Sequence, residues 1–90
     1  MSDQAQQLDD QRAKEVADFE WLMNNEVGRS FMWRLLDRCG IYRTSFNNSG
    51  SVTAFNEGRR DVGLFLMAEI NELTPDQYLL MLKERPTNDD

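Results

Sequence analysis

The chain has 90 residues, 40% of them hydrophobic, with ten basic and sixteen acidic side chains and a net charge of −6. That length allows one domain, spanning residues 1–90, whose thin core makes association with a larger partner or with further copies expected. The totals exclude much. No apolar run nears the ~18 residues a membrane helix needs, the negative charge opposes loose attraction to nucleic acid or anionic lipid, and one cysteine forms no internal disulfide.

The N-terminal MSDQAQQLDDQ is acidic and polar, unlike a secretory or transit peptide. A first helix is expected from about residue 8 to 24, with 1–7 frayed. Leu8, Val16, Phe19, Leu22 and Met23 fall near one stripe, and Asp9, Asp10, Lys14, Glu15 and Asp18 fill the rest. A second is expected over about 29–39, with Phe31, Met32, Leu35, Leu36 and Cys39 inward. Gly40 suits the left-handed position just past its end, which places Ile41 to touch Leu36 in a Schellman-type close.

Thr44–Ser51 reads TSFNNSGS, a turn-rich segment predicted to be a flexible loop in which Phe46 is the one sizeable apolar group. Thr53 is the expected N-cap of a third and longest helix, about 54–73, with Phe55, Val62, Phe65 or Leu66, Ile70 and Leu73 inward. Thr74-Pro75-Asp76-Gln77 is the clearest punctuation. Thr74 caps, Pro75 occupies the first helical position where no N–H is missed, and Gln77 completes a capping box. The fourth helix, about 75–84, carries Tyr78, Leu79, Met81 and Leu82, and the tail 86–90 frays. No strand pattern or repeat is present. The expected fold is all-α, a small bundle of about four helices.

Charge is unevenly spread. Residues 1–27 hold seven acids and two bases, residues 28–63 three acids and six arginines, and residues 64–90 six acids and two bases. The middle of an acidic protein is therefore basic, and Arg29, Arg34, Arg38, Arg43, Arg59 and Arg60 supply all of that charge. Guanidinium forks bind carboxylates bidentately and stack on aromatic faces. One reading is internal neutralisation, with Glu15, Asp18 and Glu20 of the first helix bridged to arginines of the second. The other is a face presented to an acidic partner, since Arg34 and Arg38 lie one turn apart. Trp21 and Trp33 divide in the same way, as a second packing layer or as interface anchors.

Catalytic equipment is sparse. There is no histidine, the usual general base near neutral pH and the commonest zinc ligand. Cys39 alone builds no structural zinc site and lies at a core-facing position. Gly58-Arg59-Arg60-Asp61-Val62-Gly63 sits inside a helical pattern rather than after a strand, so it is no phosphate loop, and its glycines suit close helix approach. No enzyme, cofactor or metal is expected.

Gly28-Arg29-x-Phe31-x-Trp33-x-Leu35-Leu36, Cys39-Gly40 with Tyr42, Arg43-Thr44-Ser45-Phe46, Glu57-Gly58-Arg59-Arg60 with Gly63-Leu64, and Leu82-x-Glu84 form a combined pattern over about residues 16–85. That pattern resembles a family of small tailed-phage proteins typified by a structural protein of a Bordetella phage. The resemblance implies a virion-associated or morphogenesis protein without assigned catalysis, found in the virion or in host cytoplasm during assembly. It attaches importance to Gly28, Arg29, Trp33, Gly40, Arg43, Thr44, Phe46, Gly58, Arg59 and Arg60, for folding or for docking.

The reading that joins charge and resemblance is a non-enzymatic component docking on a larger head, portal or tail protein. Its candidate contact residues are Arg29, Trp33, Arg34, Arg38, Arg43, Phe46, Arg59 and Arg60. Two other classes stay open: a nucleic-acid-associated packaging or regulatory accessory, disfavoured by the acidic flanks, and an acidic inhibitor of a host protein. They separate on whether binding weakens steeply with salt or depends on the acids of residues 9–20.

Overall fold

Asn25 begins a helix that its own side chain caps. Its backbone is extended (φ −120°, ψ 130°) and its side-chain oxygen accepts the Val27 N–H at 3.1 Å. In the computed structural model, which describes residues 2–42 and 50–85 and no side chains at 2 or 50–53, four helices follow in order. They are α1 (Ser2–Met23), α2 (Glu26–Arg38), α3 (Gly50–Leu73) and α4 (Pro75–Glu84). No strand occurs among the described residues, and the fold is an all-α bundle.

Three boundaries differ from the sequence expectation. α1 starts at Ser2 rather than near residue 8. Asp3 lies in its positive first turn, and Gln6–Asp10, Gln11–Glu15 and Lys14–Asp18 bond one turn apart at 3.1, 3.2 and 2.8 Å. α2 starts three residues early because Asn25 caps it. α3 starts at Gly50, so Thr53 lies inside the helix rather than at its start; residues 44–49 of the expected loop lie outside the described residues.

The end of α2 closes as the sequence indicates. Gly40 takes φ +77°, where a side chain would clash. The Gly40 N–H donates to the Asp37 carbonyl at 3.0 Å and the Ile41 N–H to the Leu36 carbonyl at 3.3 Å, the two bonds of a Schellman close. The α3–α4 corner is built otherwise than expected. Thr74 is buried at 2% exposure, and its hydroxyl turns back to the Ile70 carbonyl at 3.4 Å instead of capping α4. Gln77, expected in a capping box, donates to the Asn24 side-chain oxygen at 2.8 Å and fastens α4 to the α1–α2 turn.

Met23, Met32, Leu36, Ile70 and Met81 form the buried core, and Phe19, Leu22, Trp33, Leu35, Ile41, Leu66, Met67 and Tyr78 pack around it. Three of these five are methionines, whose unbranched side chains fill irregular gaps between helices. The molecule is extended, 51 × 33 × 16 Å, with a radius of gyration of 16.2 Å against about 12 Å for a compact chain of this length. A slab this thin leaves large apolar groups outside.

Phe31, Phe55 and Val62, all expected inward, are exposed, and of the alternatives Phe65 and Leu66 it is Leu66 that packs on the core. Each of α2 and α3 offers two apolar stripes roughly a third of a turn apart, and only one faces the core. On α2 it is Met32–Leu36–Cys39. On α3 it is Gly63–Ile70 with Leu66 and Met67, and the bare Gly63 lets the α3 backbone close on the α2 end. A Cβ there would lie 2.5 Å from Ile41 Cγ1 and 2.8 Å from Cys39 Cβ. Gly58, expected to allow a similar approach, meets nothing within 4 Å.

Candidate functional site

The α1–α2 corner is tight because position 28 has no side chain. A Cβ on Gly28 would fall 2.0 Å from the Leu22 carbonyl oxygen, so any larger residue would push α2 off the end of α1. The next residue, Arg29, points inward at 9% exposure. Its Nε and Nη2 each donate to a Glu84 carboxylate oxygen at 2.8 Å, and its Nη1 donates to the Met23 carbonyl at 3.0 Å. The hydrogen bonds from Arg29 hold the Glu84 carboxyl below the usual carboxylate range, and those to Glu84 raise the guanidinium further. One side chain thus ties together α1, α2 and α4, and its guanidinium is committed within the chain.

Internal neutralisation therefore occurs, but not with the predicted acids. Arg29 pairs with α4, while Glu15 lies 3.5 Å from Arg12 and Asp18 bonds Lys14. Arg12 also reaches Glu69 with two contacts of 3.1 Å, joining α1 to α3.

Arg59 and Arg60 also serve the fold. Arg59 donates to the Arg38 carbonyl at 3.1 Å and to the Asn56 side chain at 2.9 Å, with its guanidinium 5.3 Å from the Phe55 ring centre. Arg60 donates to the Gly40 and Ile41 carbonyls at 3.2 and 3.3 Å. Both cations meet the negative end of α2, where carbonyls lack helical partners. Trp33 is half-buried. It stacks on Tyr42 with ring centres 4.8 Å apart, and Arg85 lies 5.4 Å above it. Burial, and then the 3.1 Å bond between the Tyr42 and Tyr78 hydroxyls, push the Tyr42 phenol well above its ordinary range. Trp33 is a packing layer of this domain. Arg43 and Phe46 lie outside the described residues.

Of the sequence-nominated arginines among the described residues, Arg34 and Arg38 are exposed on α2 and, unlike Arg29, Arg59 and Arg60, donate to no carboxylate or backbone carbonyl there. Val27, Phe31, Arg34 and Arg38 follow one another at four, three and four residues, an exposed ridge of α2 turned away from its buried stripe. The ridge is apolar at the start and cationic at the end. Arg34 donates to the Ser30 hydroxyl at 3.0 Å and lies 5.9 Å from the Phe31 ring centre. Neither arginine meets a carboxylate among the described residues. Their one-turn separation is a like-charge pair, unfavourable by a few tenths of a kcal/mol on an isolated helix.

Trp21, at the end of α1, stands beside Val27 and Phe31 across an open cleft of about 280 Å³ that has Leu22 at its back and Arg34 at its rim. Val27 was not singled out by sequence. Its signal is the Val27–Phe31–Arg34–Arg38 spacing, masked by the competing stripe through Met32 and Leu36. A smaller cleft of about 180 Å³ lies between Glu26, Trp33 and Arg85, with the Arg29–Glu84 pair on its wall. No group of three potential metal ligands gathers among the described residues, and no helix there is long and apolar enough to cross a membrane.

No curated protein and no solved structure matches the chain. Residues 19–83, from Phe19 at the end of α1 through α4, match the family described as Bbp19-like phage protein. The match contains the corner at Gly28, Arg29 and the whole outward ridge of α2, and it ends one residue before Glu84. More than two-thirds of the chain is covered, and the chain belongs to the Bbp19-like phage proteins.

Proposed function

We propose that this phage protein is a non-enzymatic docking component of the virion or of its assembly, which binds a larger head, portal or tail protein through the outer ridge of α2. Its place is the particle, or the host cytoplasm while particles are built. The observation that carries the reading is that Arg34 and Arg38, one turn apart, meet no carboxylate among the described residues and continue the exposed Phe31 and Val27. Arg38 alone has a local reason for its place, the negative end of α2. Arg34 sits a turn earlier, beside the Ser30 hydroxyl and the Phe31 ring and away from that end. An apolar patch with a guanidinium rim is the composition of an interface centre, where aromatics and arginine are enriched. The absence of histidine from the sequence supports a role without catalysis.

The test is co-purification with the phage's portal, head and tail proteins, comparing wild type with the Arg34→Glu/Arg38→Glu variant. Loss of one partner, with helical content unchanged, supports the reading. Retention of every partner removes these arginines from the interface. Capture of DNA instead, lost as salt rises, would favour the nucleic-acid alternative.

A further inference from the structure

We propose that the cleft walled by Trp21, Val27 and Phe31 receives one large apolar side chain from an acidic segment of the partner polypeptide, with Arg34 taking the neighbouring carboxylate. This rests on the docking reading above and names the chemistry of its contact. Three apolar side chains, 69%, 77% and 50% exposed, meet at one cleft rather than being scattered over the surface. The cleft, about 280 Å³, is larger than the ~150 Å³ cavity that suffices to hold a benzene ring.

The cleft is built before any partner arrives. Asn25 caps α2, Gly28 holds the helix against Leu22, and Gln77 grips Asn24 from α4. None of these contacts has to form on binding, which lowers the ordering cost of association. A tryptophan at the edge of such a pocket supplies broad contact with few rotors.

Charge decides the kind of segment. The rim carries one ionic group, the Arg34 guanidinium, with Arg38 one turn beyond it, and no acid lines the cleft. A lysine- or arginine-bearing segment meets repulsion there, whereas an aspartate or glutamate next to the anchor gains a fork-shaped donor. The fixed aromatic wall and the cation together describe an acidic, apolar-anchored stretch of protein rather than a phosphate backbone, which has no apolar group to fill the cleft.

The experiment selects random 12-residue peptides on the full-length wild-type chain and counter-selects on Trp21→Ser/Val27→Ser, two exposed positions whose change leaves the core intact. The expected result is a consensus of one large apolar residue beside Asp or Glu. Binding of the consensus peptide should weaken at least tenfold in the serine variant and in Arg34→Glu. No enrichment, or a basic consensus, overturns the proposal. Sedimentation of the wild type alone adds a third outcome. A dimer dissociated by Trp21→Ser/Val27→Ser would make a second copy the occupant and overturn it equally. The same serine variant in the co-purification assay separates the two levels. If Arg34→Glu/Arg38→Glu loses the phage partner and the serine variant keeps it, the docking reading stands and the cleft does not. If both variants keep every partner, both fall.

Discussion

The Arg29 guanidinium and the Glu84 carboxylate, 55 residues apart in sequence, meet in two contacts of 2.8 Å, and a third bond carries the same guanidinium to the Met23 carbonyl. This places an arginine of the basic centre in the internal framework. It also joins the end of α1 and the start of α2 to the last turn of α4.

The pair makes stability depend on acid. Glu84 titrates below its ordinary value in the folded chain because Arg29 donates to it. The unfolded chain therefore takes up the proton first as pH falls. The contribution is fully present above about pH 4.5 and is lost as pH drops through the lower folded value. Urea midpoints from pH 7 to 3 should fall less steeply for Glu84→Gln than for wild type, the difference isolating this group. Arg29→Met should lower the midpoint at pH 7 more than Arg12→Met does, since Arg12 is 45% exposed. Parallel acid profiles for wild type and Glu84→Gln would contradict the assignment.

Two glycines of α3 should respond oppositely to one added methyl. At Gly63 it would meet the Ile41 side chain at 2.5 Å, and Gly63→Ala is expected to destabilise by about 1–3 kcal/mol. At Gly58 nothing lies within 4 Å, and Gly58→Ala is expected to stabilise by about 0.5–1 kcal/mol by restricting the unfolded backbone. Thermal melts of the two single variants decide this, and equal signs would refute the helix approach described at Gly63.

Arg60 holds the two carbonyls that follow α2. Arg60→Ala should cost about 1–2 kcal/mol and should speed amide exchange at Cys39, Gly40 and Ile41 before it affects α1. Exchange rising uniformly along the chain would show that the contact is not local.

Cys39 is 8% exposed and faces the point where α2 meets α3. A bulky thiol reagent should label it only as fast as the fold opens. Leu36→Ala, which empties a fully buried position at a cost of about 2–5 kcal/mol, should accelerate labelling by orders of magnitude without any change at the cysteine. Rapid labelling of the wild type would place the thiol on the surface.

The sequence by itself determined the helices and the punctuation that ends them. Gly40 in the left-handed region, Pro75 opening α4 and the alternation of polar and apolar groups at helical spacing are local properties, fixed by sterics within a few residues. The family pattern was legible for the same reason, as a set of residue types at set intervals. Only the tertiary structure decided which of two apolar stripes on α2 and α3 turned inward, and hence which arginines met an acid. Phe31 and Met32 are neighbours with similar hydrophobicity. What sends one to the core and the other to a cleft is the backbone approach allowed at Gly28 and Gly63. That choice depends on contacts between residues far apart in the chain, and helical periodicity carries no record of them.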